Sequence, residues 1–188
     1  MNRRFLPLAA LPLLWPALGG CGRPEHGGGA VAADAASAGA PVFSLPNLAG
    51  KTVSLAEFKG RVVFLDFWAT WCPPCRASVP EVEKLFGDYR GQNLQILGMN
   101  LDEDAADVAR FVQKKGLSYP VILAGGSGVA DLYGVRGIPH FVLIDKNGKV
   151  AEWWAGYSPD MPAAWRAAID RLLVAPPAAP AQSGPRTY

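Results

Sequence analysis

Between residues 41 and 173 the spacing of apolar positions changes several times, and each change predicts an element. Short alternating stretches at 43–45 and 51–55 flank residues 47–50, which predicts a small hairpin with Gly50 in its turn. Residues 61–68 read RVVFLDFW, a nearly continuous apolar run of the kind found where both faces of a strand are covered, so this strand should be central. Val79, Val82, Phe86 and Tyr89 then recur at helical spacing. They predict a helix over 73–89 with its apolar stripe on the sheet and a kink at Pro80.

A second strand follows at 94–101, then a helix marked by Val108, Phe111, Val112 and Lys115 and ending at Gly116, which together imply a crossover unit. Residues 119–123 predict a short strand, and Val129, Leu132 and Tyr133 one or two helical turns that stop at Gly134. Strands at 140–144 and 149–154 are joined through Asn147-Gly148, a strong hairpin signal. Trp153 and Trp154 alternate on the second of these, so one of them should be core. Asp160 can cap a last helix whose buried stripe is Trp165, Ala168, Ile169 and Leu172. The expected fold class is α/β, a mixed sheet sandwiched by helices, with no internal repeat.

Upstream the pattern is different. Residues 1–20 carry Arg3 and Arg4, then an apolar run over 5–18, then small residues, the order of a secretory leader. The run is shorter than the roughly 20 residues of a membrane-spanning helix, and Pro7, Pro12 and Pro16 interrupt it. Leu18-Gly19-Gly20-Cys21 resembles the lipobox of bacterial lipoprotein precursors, with Gly19 where Ala or Ser is commoner. The resemblance implies cleavage before Cys21 and a lipid on it; the alternative is a secreted protein in which Cys21 is a stray thiol. Residues 21–40 would then be the lipidated cysteine and a Gly/Ala tether too poor in apolar surface to fold. As a coil of about 19 residues the tether would span roughly 25 Å. Residues 174–188, with Pro176, Pro177, Pro180 and Pro185, predict a loose Pro-rich tail.

Composition narrows the function. Half of the 188 residues are hydrophobic (50%) and 18% are charged, which requires a folded centre. Lys and Arg number 18 against 16 Asp and Glu; without Arg3 and Arg4 the two signs balance at 16 each. A neutral chain with no basic face does not suit nucleic acid. The cysteines, 3 in number, are too few for a disulfide scaffold, and neither His26 nor His140 lies at zinc-ligand spacing from a cysteine pair.

Chemistry concentrates at Cys72-Pro73-Pro74-Cys75, which ends the central strand and opens a helix. Two cysteines so spaced can close a disulfide across one turn, and the first sits where the helix dipole favours a thiolate. A disulfide closing so short a loop would stabilise little by chain entropy, so redox chemistry explains the pair better than a structural role. The segment from Trp68 through Cys75 resembles the active site of thioredoxin, and more closely that of the membrane-tethered, extracytoplasmic TlpA/ResA type of thioredoxin-like reductase. The lead-in at residues 43–55, Pro80, the extra helix between Leu101 and Tyr119 and the stretch 134–139 support the resemblance, which covers essentially residues 41–173.

That resemblance implies a thioredoxin-like fold with an N-terminal hairpin and an inserted helix. It also implies an enzyme that exchanges dithiol for disulfide with no organic cofactor. Cys72 and Cys75 would be its redox pair and Cys72 the nucleophile. Pro139 would be the cis-proline facing them, and Ile138 would lend its backbone to an extended substrate. Trp71, Pro73 and Pro74 would form the docking surface. Asp66, where many TlpA-type proteins have Asn, would carry protons for Cys75; the plainer alternative is a strand-end charge reaching solvent. His140 departs from the more usual Thr and is either held by sheet packing or a metal ligand. The implied partners are extracytoplasmic proteins with disulfides, such as apocytochrome c or copper-site assembly proteins, and a membrane thiol-transfer protein as electron donor, which places the domain in the cell envelope.

Two other functions compete. A peroxidase of the peroxiredoxin type needs a threonine three residues before its cysteine, whereas Thr70 stands two before Cys72 and lacks the preceding proline. A copper-delivery protein would bind Cu(I) through Cys72, Cys75 and His140.

Overall fold

The computed structural model describes residues 39–176; Cys21, the expected leader, the tether up to residue 38 and residues 177–188 of the tail lie outside them. The first two strands, β1 (Ser44–Pro46) and β2 (Thr52–Ser54), pair antiparallel as the small hairpin. The second strand ends one residue before the expected limit. There the Ser54 hydroxyl accepts from Ala56 N–H while Glu57 accepts from Ser54 N–H at 2.7 Å, and this capping box winds Leu55–Phe58 into a 3-10 turn.

The main sheet is built from β3 (Val62–Trp68), β4 (Leu94–Asn100), β5 (Val121–Leu123), β6 (His140–Ile144) and β7 (Val150–Ala155). Its spatial order is β5-β4-β3-β6-β7, with β3 parallel to β4, β4 parallel to β5, and the pairs β3/β6 and β6/β7 antiparallel. This is the mixed sheet that the hydrophobic pattern predicts. Every residue of β3 is buried, as expected of its continuous apolar run between two covered faces.

Alternation along β3 divides the core into two layers. Phe64 and Trp68 face α1 (Pro73–Asp88) and α4 (Met161–Val174), packing with Val79, Val82, Phe141, Trp165 and Ile169. Phe64, Phe141 and Trp165 meet ring to ring, with Phe141 and Trp165 centroids 4.4 Å apart. Val63, Leu65 and Phe67 face the other way, toward Phe43, Val129 and Ile144. The inserted helix α2 (Ala105–Lys115) is capped by the Asp104 side chain and stops at Gly116; α3 (Val129–Leu132) is a single turn. At the last helix, Asp160 takes the N-cap position and the helix runs through Val174, the residue at which a loose tail was expected to begin. Of the paired tryptophans, Trp154 is the buried one and joins the core beside Phe64.

Candidate active site

The site forms where β3 hands over to α1. Cys72 is the N-cap of α1, and Pro73 and Pro74 occupy its first positions, where the absence of an N–H costs the helix nothing. The first intact donor, Cys75 N–H, points at Cys72 Sγ at 3.2 Å. Cys72 and Cys75 are disulfide-bonded, with Cα atoms 5.3 Å apart. Cys75 is fully enclosed and Cys72 nearly so at 3% exposure, whereas Trp71 beside them is 65% exposed and Pro73 and Pro74 are open to solvent. One exposed aromatic and two exposed prolines thus ring the sulfur that is nearer the surface.

Facing them is the loop that leads into β6. The Ile138–Pro139 peptide is cis, and the Ile138 carbonyl oxygen lies 3.7 Å from Cys72 Sγ. The geometry brings Cys72, Cys75, Ile138 and Pro139 together across 66 residues of sequence.

Asp66 is not a strand-end charge reaching solvent. It is 0% exposed, its carboxyl oxygens have no hydrogen-bond partner among the described residues, and burial pushes its pKa up to about 8. Such a group is largely protonated at neutral pH and can both give and take a proton near it. By alternation it shares the layer of Phe64, Trp68 and the two cysteines.

His140 follows the cis-proline but turns into the opposite layer, stacked on Trp153 at 5.5 Å and edge-on to Phe67. Burial lowers its pKa. The three ligands of a copper carrier are therefore not brought together, and among the described residues no group of three or more His, Cys, Asp or Glu could hold a metal ion. A cleft of about 770 Å³ opens on that side, bordered by Ile138, His140, Trp153, Tyr133 and Arg136.

Thr70 does not face Cys72 as a peroxidatic threonine would. Its N–H and hydroxyl both go to Asp102, just past β4, which also accepts from Asn100 Nδ2 at 2.7 Å. Asp102 packs tightly from the other side too: a Cβ on Gly125 would lie 2.2 Å from its carbonyl oxygen, which excludes any other residue at 125. Sequence reading missed Asn100 and Asp102, because nothing near them in the chain marks a partner 32 residues upstream.

Comparison with known proteins agrees with this geometry. A model of the Redoxin family matches residues 35–167. The thiol-disulfide oxidoreductase ResA of Halalkalibacterium halodurans is 40% identical over 114 residues, covering 61% of this chain and 65% of that protein, so the chain matches slightly under two thirds of this relative's length. Among solved structures, a Chlorobium tepidum chain assigned as thiol:disulfide interchange protein DsbE superimposes with a TM-score of 0.68 at 36% identity, covering 72% of this chain and 95% of the other. The thioredoxin domain of a thiol-disulfide oxidoreductase from Bacteroides vulgatus gives a TM-score of 0.64 at 25% identity, covering 72% and 98%. The chain belongs to the Redoxin family, as a thioredoxin-fold member of the ResA/TlpA type.

Proposed function

We propose that this protein is a thiol:disulfide oxidoreductase that reduces disulfides in partner proteins outside the cytoplasm. The observation that carries the proposal is the redox pair at the start of α1, with Cys72 beside the cis-proline loop and the neutral Asp66 buried in the same layer. In the reduced enzyme the Cys72 thiolate, held by the helix dipole and Cys75 N–H, attacks one sulfur of a substrate disulfide and expels the other as a thiolate. Asp66 first releases its own proton to solvent; Cys75 then gives its proton to the ionised Asp66 and attacks Cys72 Sγ. The Cys72–Cys75 disulfide forms, the second substrate thiolate leaves, and Asp66 returns the proton to it or to solvent. A membrane thiol-transfer protein supplies the two electrons that restore the dithiol, and the chain is held at the membrane by lipid on Cys21. Substrates such as apocytochrome c or copper-site assembly proteins fit the family resemblance.

A Cys75→Ala variant tests the activity, because it cannot resolve the mixed disulfide. Trapped, dithiothreitol-reversible adducts on Cys72 with envelope proteins are expected; their absence, with no reductase turnover in the parent chain, would overturn the proposal. Mass spectrometry of the mature N-terminus tests the anchor. An unmodified Cys21, or quantitative release into the soluble fraction, would remove it.

A further inference from the structure

Three buried polar groups around Asp66 need a cause. The Asp66 carboxyl, Trp68 Nε1 and Tyr119 Oη are enclosed and have no hydrogen-bond partner among the described residues, although protein interiors pair nearly all such groups. Trp165 Nε1, the remaining atom of this kind, is set against Phe64 and Phe141 from α4.

The first three converge on one residue of β4. Asp66 pairs directly with Gly98 across the β3–β4 ladder, so the two face the same side of the sheet, and Trp68 lies on that side two residues further along β3. A Cβ on Gly98 would sit 2.7 Å from Tyr119 Cε2 and 2.9 Å from Trp68 Nε1. Any side chain at 98 would therefore occupy the space that the indole N–H and the phenol ring now share opposite Asp66. Trp68 Nε1 can only donate. Tyr119 keeps its proton, since burial above all, then the charges of Asp66 and Glu83, push its pKa well up. Two donors beside a carboxyl match its ionised form, which only accepts.

We propose that Trp68 and Tyr119 are positioning residues for Asp66: over Gly98 they form a donor site that the carboxylate engages, directly or through one water, whenever Asp66 ionises. The inference rests on the relay role given to Asp66 above. In that role Asp66 must first release its own proton to become the base for Cys75, and the donor site makes this release easier in a pocket that otherwise opposes charge.

Titration of the Asp66 acid C=O band by infrared spectroscopy, in the disulfide form of the full chain, tests the donor site without turnover. The band is identified by its loss in Asp66→Asn. Charged or titratable groups toward this layer are Cys72 and Cys75 at the start of α1, Glu83 within it and Tyr89 at its end, Lys115 of α2 over the Phe111 ring that packs on Trp68, Tyr119 before β5, Tyr157 before α4, and Arg166 and Asp170 within α4, and in the disulfide form the two cysteines do not titrate. Tyr119→Phe is expected to move the ionisation midpoint up by about one pH unit, the size of one lost hydrogen bond to a charged group. Trp68→Phe is expected to act in the same direction and serves if Tyr119→Phe does not fold. An unmoved midpoint in a folded variant would overturn the proposal. The relay itself is read separately, from resolution of a mixed disulfide in Asp66→Asn. An unslowed step there removes the relay alone, whereas a slowed step with an unmoved midpoint removes the donor site alone.

Discussion

Thr70 gives both of its donors to Asp102: its N–H lies 2.8 Å from Oδ2 and its hydroxyl bonds to Oδ1. Asp102 is in turn held by Asn100, which donates from Nδ2 and accepts Asp102 N–H at 3.0 Å. The turn that leads into Cys72 is thus tied to the end of the neighbouring strand as well as to its own helix.

Replacing Asp102 with Ala leaves three donors without their acceptor. A loss of about 2–3 kcal/mol is expected in chemical denaturation, from hydrogen bonds to a charged group in a partly buried setting. Disulfide exchange should slow as well, because the loop before Cys72 is released. A change below about 0.5 kcal/mol would show that the loop is held by packing alone.

Asp66→Asn should stabilise the protein at neutral pH. In the folded state the carboxyl pKa is raised from 3.8 to about 8 by burial, so the folded chain keeps a proton that the unfolded chain has lost. Stability is then greatest below the unfolded-state value and falls as pH rises, with the loss complete once pH passes the folded-state value. Denaturation across pH 4–9 should show this decline in the parent and a flatter profile in Asp66→Asn. Equal slopes would mean that Asp66 ionises in the fold as easily as in water.

Limited alkylation of the reduced protein is expected to label Cys72 before Cys75. Cys72 is the helix N-cap and receives the Cys75 N–H, whereas Cys75 is fully enclosed within the first turn. Peptide mapping after brief treatment with iodoacetamide decides it, and faster labelling of Cys75 would reverse the roles.

The reduction potential should be that of a reductant. Pro73 and Pro74 remove two donors that a helix start would otherwise aim at Cys72, leaving the dipole and one N–H to stabilise the thiolate. Moderate stabilisation of the reduced form places the potential near about −270 mV, as in thioredoxin, rather than near about −120 mV, as in a strong oxidant. Equilibration against a glutathione or dithiothreitol buffer measures it, and a value above about −180 mV would point to disulfide formation instead.

The sequence by itself determined the order of elements and the redox pair. Apolar periodicity marks β3, α1, β4 and β6 to within a residue or so, and a cysteine pair at a strand-to-helix junction carries its chemistry in its spacing. The Ser54 to Glu57 capping box is legible too, as a local S-x-x-E pattern, although alternation alone carries the strand on to residue 55. Tertiary structure alone decided what surrounds Asp66, which layer takes His140, and which carboxylate holds Thr70. Each depends on strand order and register: Gly98 faces Asp66 because β3 pairs with β4 at that register. His140 lies against Phe67 and Trp153 because β6 runs between β3 and β7. Local propensity reaches only a few residues along the chain, whereas the Thr70 contact spans 32 residues and the Cys72 to Ile138 contact 66. Contacts of that span exist only once the sheet has closed around β3; the family resemblance implies the one between Cys72 and the Ile138–Pro139 loop, whereas no pattern within either segment encodes the one between Thr70 and Asp102.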